Sequence, residues 1–228
     1  IRDLGLSDAM ASGQLAIVHG TTVATNTALE GKGAHTLLIT NEGLEDILRI
    51  GRQNRPELYN LTPPSNASAI SLLPALGCPA RLDAAGHPVT PLTDAHIATL
   101  LSAVRELDPE SIALCLLFSY LNPEHEQRLN DALRDAGFAV SPSHQILPTR
   151  GEYERGMATW LNAWLAPRVA DYLQRLQQAT APAPLAIMQS HGGTIASQQA
   201  ADLAVNLLLS GPAGGLAAAQ RLGQQLQQ

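Results

Sequence analysis

The chain has 228 residues, enough for one large domain or two modest ones, and it combines 45% hydrophobic with 15% charged residues, which is typical of globular rather than disordered proteins. A net charge of -6 without a cluster of Lys and Arg argues against a nucleic-acid partner. No apolar run approaches the roughly 20 residues of a membrane span, and the start has no signal-peptide character. We therefore expect a soluble, cytoplasmic protein with no membrane partner.

The first third of the chain predicts alternating strands and helices. An apolar run at residues 15–18 leads into His19-Gly20-Thr21-Thr22 and a helical pattern over 23–30, which glycine ends. A second strand is predicted at 36–40 and an amphipathic helix at 44–50. This order implies a mostly parallel sheet. Prolines and glycines recur from 56 to 91, where we expect loops with at most short strands.

The remaining chain continues the alternation. The patterns predict a helix at 94–107 capped by Thr93, a strand at 111–118, a helix that ends at Ala136 with Pro123 at its first position, and a strand at 139–141. The longest helical pattern covers 152–176, and Pro167 is expected to break or kink it. A strand at 185–189, a helix from about 197, a strand at 205–209, a glycine loop at 210–215 and a terminal helix complete the prediction.

The two cysteines are expected to be plain thiols. Cys78 and Cys115 lie far apart without a CxxC pair, so the sequence predicts neither a zinc site nor a disulfide framework, and it offers no other metal site. Cys115 lies within an apolar run, where a thiol behaves as a small hydrophobic group.

Two small-residue loops could bind a ligand. Residues 19–22 and 210–215 each follow a predicted strand and precede a helix, which is where α/β folds place ligands. The free N–H groups of a helix start attract phosphate or carboxylate. Neither loop has the GxxxxGK[ST] signature, so tight turns with capping threonines remain an alternative. His19 could act as a general base or orient an anion, or it could be structural.

Charged groups at two further places could contact a substrate. Arg49, Arg52 and Arg55 cluster around Gln53, where they could hold an anionic substrate or form a solvated surface. Glu152 and Glu154 open the long helix, and the helix dipole stabilises carboxylates there whatever their role.

Several blocks, in order along the chain, resemble the hydantoinase A and 5-oxoprolinase family. They are Val18-His19-Gly20-Thr21-Thr22-Val23-Ala24-Thr25-Asn26, Gly51-Arg52-Gln53-Asn54-Arg55-Pro56-Glu57-Leu58-Tyr59, Phe118-Ser119-Tyr120-Leu121-Asn122-Pro123-Glu124-His125-Glu126, Glu152-Tyr153-Glu154-Arg155, Met188-Gln189-Ser190-His191-Gly192-Gly193 and Leu209-Ser210-Gly211-Pro212-Ala213-Gly214-Gly215. The ordered set covers nearly the whole chain and is far more specific than any one block. His191 stands where the family more often has Asn.

The resemblance implies an actin-like, ribonuclease H-like ATPase lobe of the α/β class, with mixed, mostly parallel sheets flanked by helices. It assigns residues 1–165 to the family's N-terminal region and 166–228 to the start of the following hydantoinase A domain. The family's two Asp-x-Gly-Gly-Thr phosphate hairpins would lie just before and just after the chain. We therefore expect a lobe that is incomplete at both ends and inactive by itself.

The resemblance implies a hydrolase that, as the full-length protein, opens a cyclic amide such as hydantoin, N-methylhydantoin or 5-oxoproline with ATP hydrolysis. ATP and Mg²⁺ are the implied cofactors of that protein, although this piece alone is not expected to bind them. A hydantoinase B-type companion subunit is the implied partner. The alternatives are a homologous subunit of an ATP-dependent acetone- or acetophenone-type carboxylase, or a non-catalytic actin-like scaffold module.

The resemblance also assigns roles to individual residues. The expected catalytic residues are His19, Thr21, Thr22 and Glu154; the substrate-binding residues are Asn26, Arg52, Gln53 and Arg55; and the residues on the nucleotide side are Gly211, Gly214 and Gly215. Glu154 is expected to form a structural or catalytic pair with Arg155.

Overall fold

The computed structural model describes residues 5–52, 54, 59 and 75–226. The elements of the first half are α1 (Ser7–Ala11), β1 (Ile17–His19), α2 (Val23–Glu30), β2 (Thr36–Asn41), α3 (Ile47–Ile50), β3 (Leu76–Cys78), β4 (Arg81–Leu82), β5 (Pro88–Thr90) and α4 (Asp94–Leu107). The second half contains β6 (Ser111–Leu114), α5 (Glu124–Asp135), β7 (Val140–Pro142), α6 (Ser143–Ile146), α7 (Glu152–Thr180), β8 (Leu185–Met188), β9 (Thr194–Ala196), α8 (Ser197–Ala200), a 3₁₀ helix (Ala204–Leu207) and α9 (Ser210–Leu226).

The chain packs as two units. Unit 1 combines Ile1–Gly33 with Leu165–Gln228, and unit 2 is Ala34–Trp164. Among the described strands, four pairs are parallel and two are antiparallel. The predicted α/β class with mixed, mostly parallel sheets is therefore confirmed. The boundary near residue 165 that the resemblance places between two domains stays a prediction.

Unit 2 contains a four-stranded parallel sheet covered on both faces, together with the antiparallel pair β4–β5. Its strand order is β3-β2-β6-β7, and every residue of β2 and β6 is buried. Alternate residues face opposite sides, because successive side chains of a strand point in opposite directions. Leu37, Ile39, Ile112 and Leu114 pack with residues of α4 and α5, whereas Leu38 and Ala113 pack with residues of α3 and α7. This two-sided burial explains why the strands appear in the sequence as continuous apolar runs.

Helix α4 has the boundaries predicted from its sequence. The Thr93 hydroxyl accepts a hydrogen bond from the His96 backbone N–H at 3.2 Å, and the His96 ring accepts one from the Thr93 N–H at 3.4 Å. Two donors that a helix start leaves unpaired are thereby satisfied.

Unit 1 contains a three-stranded sheet of order β1-β8-β9. Strands β1 and β8 are parallel, with Ile17 opposite Leu185, and β8 and β9 form an antiparallel pair. Helix α2 has the predicted bounds and ends at Gly31, whose φ of 66° is the left-handed conformation that glycine adopts without steric cost.

The prediction that Pro167 would divide the long helix into two was wrong. Helix α7 runs without interruption from Glu152 to Thr180 with Pro167 inside it. Proline removes the N–H that would bond the carbonyl four residues earlier, that of Ala163. This carbonyl instead accepts a hydrogen bond from the Ser111 hydroxyl at 2.8 Å, and the neighbouring Trp164 carbonyl accepts one from the Ala34 N–H at 2.8 Å.

The strand predicted at 205–209 is also wrong. Residues Ala204–Leu207 form a 3₁₀ helix in which Ala204 and Leu207 are buried. A spacing of three residues places both side chains on one side of a 3₁₀ turn. The glycine loop predicted at 210–215 is the beginning of α9 instead.

Several other predicted elements are shorter than expected. The helix predicted at 44–50 is reduced to α3, the helix from 197 to the four residues of α8, and the strand at 111–118 to β6. In the described part of the chain, no helix combines the length and apolar character needed to cross a bilayer.

Candidate functional site

The first predicted loop begins with His19 at the end of β1. The His19 Nε2 atom lies 2.8 Å from the hydroxyl oxygen of Tyr172 on α7, and the two rings are 6.1 Å apart. Partial burial lowers the pKa of His19 below 6.5, because desolvation disfavours the charged imidazolium. His19 is therefore neutral at pH 7, with one ring nitrogen able to accept a proton.

The two threonines that follow His19 have different environments. Thr21 is buried, and its hydroxyl accepts a hydrogen bond from the Val23 N–H at 3.2 Å. Thr22 is exposed at the N-cap of α2, but its side chain does not cap the helix. Its hydroxyl instead accepts a 3.4 Å hydrogen bond from the Asn26 amide. The alternative of a tight turn with capping threonines thus fails at Thr22.

The fold brings the second predicted loop region to the first. The buried Ser210 hydroxyl donates a 2.9 Å hydrogen bond to the Thr21 carbonyl, and the Leu209 N–H donates to the Thr25 hydroxyl at 3.0 Å. Leu209 has a φ of 60°, which is strained for a residue with a side chain. Segments about 190 residues apart in sequence thus meet at the starts of α2 and α9.

Only one of the three glycines predicted on the nucleotide side approaches the histidine loop closely. A Cβ added to Gly211 would lie 3.1 Å from Cγ2 of Thr22. A Cβ on Gly214 would meet the Met188 side chain at 3.6 Å, and one on Gly215 would contact nothing within 4 Å. A side chain at 211 would therefore disturb the meeting of the two segments, whereas Gly215 has open space beside it.

Asn26, predicted to bind substrate, lies on the exposed side of α2. It lines an open groove of about 480 Å³, whose other lining residues are Val23, Thr27, Glu30, Lys32 and Arg168. Lys32 in this groove forms an ion pair with Glu30 at 2.8 Å. In the other predicted loop of unit 1, the His191 ring folds back and accepts a 3.3 Å hydrogen bond from the Gly193 N–H.

The predicted pair of Glu154 and Arg155 is replaced by two separate arrangements, both within unit 2. Glu154 accepts a 2.7 Å charge-assisted hydrogen bond from Arg52. The pKa of Glu154 is lowered by a hydrogen bond from its own backbone N–H at the helix start and then by Arg52. Arg155 is fully buried and lies 3.5 Å from Glu152. The correction follows from helix geometry, since adjacent residues on a helix point in different directions.

The remaining predicted substrate residues, Gln53 and Arg55, lie outside the described residues. Arg52 and Glu154 are thus the members of the predicted set that unit 2 brings together. His19, Thr21, Thr22 and Asn26 form the set in unit 1, joined by Gly211. The roles predicted for all of them stay predictions.

The chemistry of the histidine loop fits an anion but not a metal ion. Threonine and serine hydroxyls and helix-start N–H groups can donate to phosphate oxygens. No Asp or Glu occurs between residues 15 and 29 or between 203 and 228, whereas Mg²⁺ prefers carboxylate ligands. Across residues 5–52, 54, 59 and 75–226, no three His, Cys, Asp or Glu side chains converge as metal ligands would.

Sequence reasoning did not identify Tyr172 or Ser210 as individual site residues. Tyr172 is 153 positions from His19 and was part of the helical pattern predicted at 152–176. Ser210 was part of a predicted loop, but its partner Thr21 lies 189 positions away. The parallel pairing of β1 with β8 and the course of α7 bring these segments together.

Sequence comparison supports one family over almost the whole chain. A family sequence model described as the hydantoinase/oxoprolinase N-terminal region matches residues 7–137. A second, described as hydantoinase/oxoprolinase, matches residues 155–228.

Individual relatives agree with this assignment. Caprolactamase subunit alpha of Pseudomonas jessenii is 31% identical over 90% of this chain and 31% of its own length. The 5-oxoprolinase of Saccharomyces cerevisiae is 27% identical over 86% of this chain and 17% of its own length. This chain therefore spans a third or less of the length of these curated relatives.

A solved structure shares the fold. The nucleotide-free structure of acetone carboxylase, from work on the mechanism of ATP-dependent acetone carboxylation, superimposes with a TM-score of 0.79 at 28% identity. The match covers 99% of this chain and 34% of that one. With two family models matching in order and this shared fold, the chain belongs to the hydantoinase/oxoprolinase family.

Proposed function

We propose that this chain is part of an ATP-dependent enzyme that opens a cyclic amide, such as hydantoin, N-methylhydantoin or 5-oxoproline. Relatives named 5-oxoprolinase and caprolactamase support this reaction class, and the solved caprolactamase is described as ATP-dependent. The complete reaction belongs to a longer protein, because this chain covers a third or less of those relatives. A companion subunit is part of the proposal, since the caprolactamase relative is itself named as a subunit.

The observation that carries the proposal is the meeting of residues 19–25 with the start of α9. Thr22 keeps an exposed hydroxyl that does not cap α2, and His19 keeps a neutral ring. ATP would supply the phosphoryl group that activates the amide oxygen as a leaving group. Thr22 would orient an anionic oxygen, and His19 would accept a proton from attacking water.

The remaining assignments extend this proposal. Thr21 and Asn26 support the same loop, and Gly211, Gly214 and Gly215 form the helix start on the nucleotide side. In unit 2, Arg52 would bind substrate while Glu154 fixes its guanidinium at 2.7 Å. The carboxylates for Mg²⁺ would come from the rest of the full-length protein, since this loop region has none. We retain 1–165 and 166–228 as the proposed domains and the cytoplasm as the proposed compartment.

The principal alternative is a subunit of an ATP-dependent carboxylase. Its support is a TM-score of 0.79 with acetone carboxylase and an acetone carboxylase beta subunit from Xanthobacter autotrophicus that is 31% identical over 98% of this chain. The caprolactamase matches are equally strong, with a TM-score of 0.77 and 31% identity. A ketone substrate and bicarbonate would then replace the cyclic amide. A non-catalytic scaffold is the further alternative, and it requires no turnover of ATP at all.

The test is substrate-dependent ATP hydrolysis by the full-length protein, with and without a companion subunit. Cyclic amides and acetone plus bicarbonate are assayed separately. We expect cyclic amides to stimulate ATP hydrolysis and His19→Ala to reduce it about 100-fold or more, the usual effect of losing a general base. His35→Ala, which removes an exposed histidine of unit 2, is the control.

If acetone with bicarbonate stimulates ATP hydrolysis and cyclic amides do not, the carboxylase function is favoured. If the protein hydrolyses no ATP under any condition, the scaffold function is favoured. Unchanged activity in a folded His19→Ala variant would remove His19 from the reaction. Calorimetric titration of this 228-residue chain and of the full-length protein with Mg-ATP completes the test. We expect only the full-length protein to bind.

A further inference from the structure

A second region of possible ligand chemistry lies in unit 2, at the segment that follows β6. Residues 115–121 leave the sheet at the carboxyl end of a parallel strand, the position where α/β folds bind ligands. This segment includes the block Phe118-Ser119-Tyr120, to which the proposed reaction gives no role.

Three buried polar side chains hold the backbone of this segment. The Leu116 N–H donates to Glu126 at 2.9 Å, and the Leu116 carbonyl accepts from Arg155 at 3.1 Å. The Leu117 N–H donates to the Asn41 side chain at 2.6 Å. Glu126 and Arg155 are both fully buried, and Asn41 is 2% exposed.

The two buried charges are joined through Ser143. Its hydroxyl donates to Glu126 at 2.8 Å and accepts from the Arg155 Nε–H at 3.2 Å. Burying charges is costly unless their hydrogen bonds are satisfied. Here the two charged side chains bind the N–H and the carbonyl of a single residue, Leu116, two positions before Phe118, whose φ of 59° is strained. Such an arrangement fixes the segment in one conformation, as a preformed binding site requires.

A pocket of about 360 Å³ lies against this segment. Its lining residues are Ala84, Phe118, Tyr120, Arg150, Gly151 and Glu152. The rings of Phe118 and Tyr120 lie 6.5 Å apart, and the buried Arg155 guanidinium lies 5.3 Å from the Tyr120 ring centre. Gly151, with a φ of 97°, makes a turn that a side chain would strain. The volume lies within the range of about 300–1,000 Å³ found for small-molecule sites.

Arg150 is the group of the pocket lining that can bind an anion, because the carboxylates near it already have cationic partners: Glu154, which lies against Gly151, pairs with Arg52. Glu152 is 3.5 Å from Arg155, which offsets its negative charge. Arg150 is exposed, and among the described residues it has neither a hydrogen bond nor an ion pair. Its guanidinium can therefore bind a carboxylate through two parallel hydrogen bonds.

We propose that this pocket binds a small organic carboxylate with a compact apolar body. The carboxylate pairs with Arg150, and the body packs against Phe118 and Tyr120, whose positions depend on Glu126, Arg155 and Asn41. This inference does not rest on ATP-dependent ring opening, since binding at this pocket requires neither ATP nor the histidine loop.

The test compares two probes of nearly equal shape, cyclopentanecarboxylate and the neutral cyclopentanecarboxamide. Binding to the 228-residue chain is followed at pH 7 by amide NMR, with the signals of Tyr120 and Gly151 as reporters. We expect the carboxylate to bind with a dissociation constant in the millimolar range and the carboxamide at least about tenfold more weakly, because a charge-assisted hydrogen bond is roughly twice as strong as a neutral one. Inorganic phosphate is the third probe.

The Arg150→Gln variant should weaken carboxylate binding about tenfold and abolish discrimination between the two organic probes. Arg105→Gln, an exposed arginine in the same unit, is the matched control and should change neither. Tyr120→Leu should weaken both organic probes by a similar factor. Equal binding of carboxylate and carboxamide, shifts that exclude Tyr120 and Gly151, or phosphate binding as tight as the carboxylate would each overturn the proposal.

Discussion

A threonine precedes a helix in both units, but only one of the two caps it. In unit 2 the Thr93 hydroxyl accepts from the third N–H of α4, whereas in unit 1 the Thr22 hydroxyl does not cap α2, whose first N–H is bound by the Thr21 hydroxyl instead. The same contrast holds for titratable groups. In unit 2 the buried Glu126 accepts four hydrogen bonds from neighbouring residues, while His19 in unit 1 is half-buried beside a single tyrosine.

This contrast shows that polar side chains have different roles in the two units. In unit 2, Glu126, Arg155 and Asn41 bind the backbone and stabilise one conformation of the segment after β6. In the histidine loop of unit 1 the Thr22 hydroxyl is exposed and does not cap the helix, which leaves it accessible to a ligand. Local stability and ligand chemistry thus fall on different residues, and substitutions can measure each separately.

The largest effect is expected at Arg155. Replacing it with Met removes a buried charge and leaves the carbonyls of Leu116 and Thr149 without their donor. We expect a loss of about 3–5 kcal/mol in the free energy of unfolding, measured by urea denaturation. Arg105→Met should cost less than about 1 kcal/mol. A loss at Arg155 as small as that of the control would show that the buried network does not stabilise unit 2.

A smaller effect separates the two threonines. Thr93→Ala should destabilise the protein by about 1 kcal/mol, because it removes a capping hydrogen bond. Thr22→Ala should change stability by less than about 0.5 kcal/mol, as expected for a surface substitution without a cap. Paired urea titrations measure both variants. Equal losses at the two positions would contradict the contrast drawn from the structure.

The smallest effect concerns the charge of His19. Burial lowers its pKa below 6.5, so below that pH the unfolded chain binds a proton more readily than the folded one. Stability should therefore fall as the pH drops from 6.5 through the folded pKa, and His19→Gln should lessen the fall. NMR titration of the His19 ring measures the pKa directly, with His19→Gln identifying its signal. A midpoint at or above 6.5 would contradict the burial argument.

Elements with strong local signals could be predicted from sequence almost to the residue. Helices α2 and α4 have the expected bounds, because Gly31 and Thr93 mark an end and a start through their own chemistry. The misassigned strand at 205–209 had no such mark. The structure has a four-residue 3₁₀ helix there, in which Ala204 and Leu207 are buried. A short apolar run alone does not distinguish such a helix from a strand.

The candidate sites were less predictable, because long-range contacts create them. The loop at His19 stood out in the sequence, but its contacts with Tyr172 and Ser210 depend on the fold. In unit 2, the sequence predicted a pair of Glu154 with Arg155, whereas the charged partner of Glu154 in the structure is Arg52. Helix direction and tertiary packing determine which residue pairs with Glu154, and neither can be inferred from the order of charged residues in the sequence.

The proline within α7 has a consequence for how the secondary structures depend on one another. The carbonyl of Ala163 completes its hydrogen bonding only through Ser111, 52 positions earlier in the chain. Helix and sheet are therefore coupled at this point, because the buried Ala163 carbonyl needs a donor from outside the helix and the Ser111 hydroxyl of β6 supplies it. The continuity of this helix is thus a property of the folded chain rather than of its own sequence.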